Sequence, residues 1–305
     1  MQKDIGEMKF LYLTDVHFGA SPISRKPGYN EQILEKLRFV LKLAKKNGCV
    51  VLCGGDFFDK PKVGFLPLLQ VIRLFKEYNV DFYCIRGNES HDSFAENSAL
   101  SIMELAGIFK ETGEYKDFGN VRVIFKDHGV DDVEKHVSLA HVNIMLTHQT
   151  IVKEPTIFEH TLIDDFKTNA QIVCVAHYHP YQGVMKNTKG TTFVAPGALA
   201  RKKKVSHDID RVIKCVYITV NDKKEFLIKE IDVPSVKDVW TDKSVLDISD
   251  DSCYNDLSAE VKNMKNLLMQ EMNFSSIDEM LKSYAIASGV EDSVLKFALG
   301  ELEKI

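Results

Sequence analysis

The stretch “KFLYLTDVH” (residues 9–17) decides how this chain is read. An apolar run of the length of one buried strand ends, and Asp15 and His17 follow at once. Strands covered on both faces read as continuous apolar runs, but a carboxylate and an imidazole just past the end have no part in that packing. The pattern recurs along the chain. “VVLC” (50–53) leads into Gly54, Gly55, Asp56 and, after two phenylalanines, Asp59. “DFYCI” (81–85) leads into “RGNESHD” (86–92), “NIMLT” (143–147) into His148, and “QIVCVA” (171–176) into His177 and His179. “VRVIF” (121–125) and “TTFVA” (191–195) read as further strands.

Helical patterns separate the early strands. In “NEQILEKLRFVLKLAKKNG” (30–48), Ile33, Leu34, Leu37, Val40, Leu41 and Ala44 form a stripe, Asn30 is the expected N-cap and Gly48 the stop. “PLLQVIRLFKEYN” (67–79) and “NSALSIMELAGIF” (97–109) read similarly. Alternation of strand and helix implies an α/β core. The second half has strands without long helices between them, so a second sheet packed on the first is expected. “VIKCVYITVNDKKEFLIKEIDV” (212–233) reads as a closing hairpin turning at “NDKK”. The fold class is therefore α/β, a two-sheet sandwich flanked by helices, with a small C-terminal helical region. Residues 1–238 form the expected main domain. In residues 239–305 the pattern turns helical, with a stripe of Leu257, Val261, Met264, Leu268 and Met272 and a capping box from Ser276 to Glu279.

The charge of −5 is unevenly spread. Residues 241–305 hold 13 acidic and 6 basic residues, which leaves a slight positive excess on residues 1–240. The main body thus does not repel an anionic ligand, and it is not basic enough to announce nucleic acid by charge alone. The six cysteines include no CxxC pair, and Cys53, Cys84, Cys174 and Cys215 lie inside apolar runs, as small buried hydrophobes do. With no apolar run near the length of a membrane span and no leader-like start, the expected location is cytoplasmic.

In open α/β sheets ligands gather at the carboxyl ends of the strands, so the five strand-end groups are expected to converge. Imidazoles, carboxylates and one amide oxygen form a mixed nitrogen and oxygen set, suited to manganese, iron or zinc rather than calcium or magnesium. An aspartate bridging two cations about 3.5–4 Å apart is the usual two-metal arrangement for phosphate ester hydrolysis. His128, His136, His141, His160 and His207 match no part of the pattern and read as structural or surface groups.

In these motifs the sequence resembles the calcineurin-like metallophosphoesterases, over roughly residues 8–235. “GGDFFD”, “AHYHPYQ” and “APGALAR” are most similar to the SbcD-type DNA-repair exonucleases, the nuclease subunit of the SbcC–SbcD complex. The resemblance implies that Asp15, His17 and His179 hold one divalent metal ion and Asn88, His148 and His177 the other, with Asp56 between them. Two Mn2+ ions are the expected cofactors. Asp59 either orients a ligand or caps the next helix. The family has a histidine directly after the asparagine, where this chain has Glu89. His91 and Asp92 look like that catalytic pair displaced by two residues; a solvated loop histidine is the plain alternative.

The resemblance also implies the partners. DNA is the expected substrate, with Arg201, Lys202, Lys203 and Lys204 either gripping its backbone or forming a solvated loop. An SbcC-type coiled-coil ATPase subunit is the expected protein partner, docked on residues 245–305, although a plain helical subdomain explains that pattern too. A homodimer is expected by resemblance alone. The expected activity is metal-dependent exonuclease or endonuclease cleavage of phosphodiester bonds in DNA repair or recombination. The alternatives are a phosphoesterase acting on a small molecule or a protein, and a scaffold with a decayed site.

Overall fold

The computed structural model describes residues 7–88, 98–130, 133–156, 159–237 and 239–241. All of them lie in the first of two units, Met1–Asp250. His91, Asp92, Cys253 and the C-terminal stripe and capping box lie outside the described residues.

The elements follow in chain order: β1 (Met8–Leu13), α1 (Tyr29–Asn47), β2 (Val50–Cys53), α2 (Phe65–Tyr78), β3 (Phe82–Cys84), α3 (Ala99–Leu105), β4 (Tyr115–Phe118) and β5 (Val121–Lys126). After a short 3-10 turn come β6 (Val142–Thr147), β7 (Ile151–Val152), β8 (Thr161–Leu162), β9 (Ile172–Val175), β10 (Gly183–Lys186), β11 (Thr192–Ala195), α4 (Ser206–Ile209), β12 (Lys214–Val220) and β13 (Phe226–Asp232). One sheet runs β13-β12-β1-β2-β3 and the other β10-β11-β9-β6-β5-β4. The chain is α/β, with two sheets packed as a sandwich and helices on the outer face of the first.

Alternation within β1 shows why the strand reads as wholly apolar. Phe10 and Tyr12 face the second sheet, meeting Val123, Ile144, Leu146 and Cys174, while Leu11 and Leu13 face the helices with Leu37, Val40 and Leu41. β1, β2 and β3 are parallel, as are β6 and β9, so both sheets deliver their carboxyl ends to loops. Tyr12 ties the two sets together, its hydroxyl donating to the Val175 carbonyl at 2.8 Å. The hairpin turns at Asn221–Glu225, with Lys224 left-handed at φ 65°.

Two local expectations are corrected. Gly28, at φ 95°, occupies the N-cap position of α1, and Asn30 lies inside the first turn, accepting from the Gly19 N–H at 2.8 Å. α3 stops at Leu105, because Gly107 turns left-handed at φ 64° and releases Ile108 and Phe109 from the helix. Phe109 instead stacks on Phe82 at 4.6 Å, in a cluster with Phe57 and Phe75 beneath the first sheet. Residues 239–241 are bonded to the main body, through Val239 O to Lys26 N–H and through the Thr241 N–H to Ser24 O.

The aromatic cluster carries the helices on β3. Phe82→Ala should destabilise the protein by about 3–5 kcal/mol in urea unfolding. A loss below about 1 kcal/mol would show that Phe82 supports little of this layer.

Candidate metal centre

Each candidate ligand stands just past a strand, and four of the seven sit on a tightly turned backbone. Asp15, His17, Asp56 and His177 have φ of 51°, 46°, 46° and 76°, the left-handed region that side chains rarely adopt. The other two described non-glycine residues there, Asn79 and Lys224, merely end a helix and turn a hairpin. The backbones brace one another: Asp15 N–H donates to Gly55 O at 3.2 Å and His17 N–H to Asp56 O at 2.9 Å. Glycines make the crowding tolerable. A Cβ on Gly87 would lie 2.0 Å from Asp56 Oδ1, and one on Gly55 would lie 2.6 Å from His148 Nδ1.

The side chains converge in two overlapping groups. Asp15, His17 and His179 bring ligand atoms within 4.8 Å of one another, and so do Asp15, Asp56 and His148. Asp56 Oδ2 lies between the two, 4.0 Å from His17 Nε2 and 3.4 Å from His148 Nε2. Asn88 Oδ1 is 2.9 Å from His148 Nε2. The His177 ring is 5.0 Å from the His148 ring between centroids, and its backbone N–H donates to Asp15 Oδ2 at 3.2 Å. All seven candidate ligands are thus gathered at one place, although they span the chain from Asp15 to His179.

These residues fit divalent cations. Asp15 is fully buried; Thr14 Oγ1 donates to its Oδ2 at 2.7 Å, but Oδ1 accepts no hydrogen bond. A buried carboxylate oxygen without a donor is costly unless a cation meets it. The Nε2 atoms of His17 and His179 face each other at 3.1 Å, a separation that a shared proton or a cation must mediate. His148 Nδ1 is 2.8 Å from Gly54 O, which accepts the ring N–H and leaves Nε2 aimed at Asp56 and Asn88.

Electrostatics divides His148, His177 and His179. Burial pushes His148 down, but Asp56 beside it outweighs that and raises the ring to about 9. Burial, reinforced by His148, lowers His177 to about 4. Burial and then His17 hold His179 well below the usual imidazole value. Burial also raises Asp15 above the ordinary carboxylate range. Asp59 goes the other way: burial opposes its charge, yet His17 and Lys202 bring it down to about 2.

Asp59 caps no helix, since α2 starts after Gly64; its Oδ1 lies 3.4 Å from His17 Nδ1 and 2.5 Å from Lys202 Nζ. Of the basic run, Arg201 is corrected. It is 2% exposed, with its guanidinium donating to Ile209 O at 3.3 Å and to Val236 O, so it does not face a DNA backbone. Lys203 is exposed and Lys204 half-buried. His128, read as a bystander, stands beside the centre. Its Nδ1 is 3.1 Å from His148 O, and its ring lies 5.8 Å from His148 and 5.7 Å from His177. Nothing in the “KDHG” loop announces this, because the loop brings His128 there through its N–H bond to Arg86 O at 2.9 Å.

Proton competition gives a test. At neutral pH the metal-free His148 ring, held at about 9, carries a proton that a cation must displace. Cation affinity should therefore rise about tenfold per pH unit between pH 7 and 8.5, with about one proton released per ion bound at this end of the centre. Titration calorimetry in two buffers of different ionisation enthalpy reads both. An affinity flat with pH would show that His148 gives up no proton.

Comparisons with known proteins give the family. The model of the calcineurin-like phosphoesterases matches residues 8–185. The DNA double-strand break repair protein Mre11 of Aeropyrum pernix is 30% identical over 100 residues, 32% of this chain and 24% of that protein's length. Among solved structures, TT1561 of Thermus thermophilus shares 13% identity at a TM-score of 0.43, covering 74% of this chain and 99% of that one. A second aligns over 75% of this chain and all of its own, with 13% identity and a TM-score of 0.42. No helix among the described residues is long and apolar enough to cross a membrane. A family model matching more than half of the sequence, over strands that end in these ligands, makes this chain a member of the calcineurin-like phosphoesterases.

Proposed function

We propose that this phosphoesterase is a DNA nuclease that hydrolyses phosphodiester bonds with two divalent cations, Mn2+ by preference, in repair or recombination. The observation that carries the reading is Asp15 Oδ1, buried without a hydrogen bond in a set of imidazoles and carboxylates. The DNA part draws on the relative named as a double-strand break repair protein and on Lys203 and Lys204, which follow Lys202 in the sequence.

When bound, the cations supply acidified water as nucleophile and neutralise charge on the phosphate oxygens. Asp15, His17 and His179 would hold one ion and Asn88, His148 and His177 the other, with Asp56 serving both. Asn88 suits its place because a neutral amide oxygen adds no negative charge against an anionic substrate. Gly54 O holds the proton on His148 Nδ1, so that the proton a cation displaces is the one on Nε2. His91 would give a proton to the leaving oxygen, with Asp92 steadying its ring. The near-neutral charge of residues 1–240 lets an anionic chain approach. Residues 245–305 would form the element that docks an SbcC-type ATPase.

One observation favours a small-molecule or protein phosphoester instead. Arg201 is buried and Lys202 is engaged by Asp59, which takes both out of the basic run offered to a DNA backbone.

Hydrolysis assays separate the readings. With Mn2+, the protein should degrade duplex DNA ends and a generic phosphodiester such as bis(p-nitrophenyl) phosphate, and should act far more slowly on p-nitrophenyl phosphate. Asp56→Asn should lower diester hydrolysis by more than about 100-fold, beyond the loss typical of a residue that only supports a ligand. Activity confined to the monoester would end the nuclease reading.

A further inference from the structure

The segment after β11, “ALARKKK” (198–204), is held from both sides. Toward the metal centre, its N–H groups donate to the ligand-bearing loops: Ala198 to His179 O at 3.0 Å, Leu199 to Thr14 O at 2.9 Å and Ala200 to Asp15 O at 3.1 Å. Its carbonyls are covered by cations. Lys36 Nζ donates to Leu199 O at 2.7 Å, Arg211 to Ala198 O at 2.7 Å and to Ala200 O at 2.8 Å, and Arg25 to Arg201 O. Ser24 Oγ adds a bond to Lys202 O at 3.1 Å.

On this fixed backbone Lys202 turns inward. Its Nζ is 2.5 Å from Asp59 Oδ1 and 3.4 Å from His17 Nδ1, with the side chain 22% exposed. Asp59 is 12% exposed, and its own N–H is bound to Phe18 O at 3.0 Å. The carboxylate thus has little solvent, and the ammonium group at 2.5 Å is the contact that holds it in place beside His17 Nδ1, 3.4 Å away.

We propose that Lys202 is a positioning residue of the metal centre. It fixes Asp59 so that Oδ1 receives the Nδ1 proton of His17, leaving the His17 Nε2 lone pair for a cation. The inference rests on the metal-centre reading and removes Lys202 from the set of DNA contacts. Contact with a phosphate would break an enclosed ion pair and leave Asp59 facing an anionic substrate. Lys203 and Lys204 remain the candidates for that task.

The test uses the full chain with Lys202→Met, Lys202→Arg and a Lys203→Met/Lys204→Met control. In metal-free protein the imidazole 15N shifts of His17 should report the Nδ1–H tautomer in the parent and a mixture in Lys202→Met. Mn2+ affinity by calorimetry should fall about 10–100-fold in Lys202→Met, recover most of the way in Lys202→Arg, and stay within twofold in the control. On bis(p-nitrophenyl) phosphate the Lys202→Met loss should fall on kcat at saturating substrate. The salt dependence of DNA binding should change in the control and not in Lys202→Met.

An unchanged tautomer and unchanged Mn2+ affinity in Lys202→Met, with weaker DNA binding and a shallower salt slope, would overturn the proposal and return Lys202 to the DNA contacts. Should Lys202→Met not fold, Asp59→Asn must reproduce the tautomer and affinity changes, and failure to do so overturns the proposal equally. A parent that binds no Mn2+ would sink the metal-centre reading itself and this inference with it, which distinguishes the two failures.

Discussion

A buried carboxylate oxygen that accepts no hydrogen bond from the protein is among the more expensive groups a fold can hold, and Asp15 Oδ1 is such an oxygen, with His179 Nε2 3.7 Å away. Around it stand Asp56 and the rings of His17, His148 and His179, all brought to the same few ångströms. Left to themselves these groups oppose one another: carboxylates repel, and the His17 and His179 nitrogens meet at 3.1 Å. Divalent cations reverse the sign of these interactions. The fold is built to assemble that otherwise unfavourable cluster, and the geometry of the strand ends follows from it.

The assembly is achieved by backbone more than by side-chain packing. Parallel strands deliver their last residues to a common edge, and left-handed turns at Asp15, His17, Asp56 and His177 aim the donors. Each such turn costs roughly 1–3 kcal/mol and persists only where its surroundings hold it. Those surroundings are visible: bonds from the N–H groups of Asp15 and His17 to the carbonyls of Gly55 and Asp56, glycines where a Cβ would strike a ligand, and the braced segment 198–202. Lys36, Arg25, Arg201 and Arg211 are nearly buried and spend their donors largely on carbonyls, with Asp208 as an acidic partner of Arg211. Cations placed in this way make a polar loop rigid.

The strands and the cluster of polar groups at their ends were legible in the sequence for one reason. A strand buried on both faces needs an unbroken apolar run, and a donor at its end interrupts that run at a fixed place. “KFLYLT”, “VVLC” and “QIVCVA” therefore revealed the sheets and the site together. What escaped depends on tertiary contact. The direction of Arg201 follows from Ile209 and Val236, and that of Lys202 from Asp59 across a long stretch of chain. The run “RKKK” looks the same whether it faces DNA or the core. His128 reaches the centre through a loop whose sequence is ordinary, and Asn30 lost its expected cap to a left-handed glycine two residues earlier. The short strands β7, β8 and β10 carry too few residues to show a period.

The most direct test of the central claim is a crystal of the protein grown with Mn2+ and measured at the manganese absorption edge. Two anomalous peaks on either side of the Asp56 carboxylate are predicted, one against Asp15, His17 and His179 and one against Asn88, His148 and His177. Density free of anomalous signal at these residues, with Asp15 Oδ1 still lacking a partner, would contradict the account.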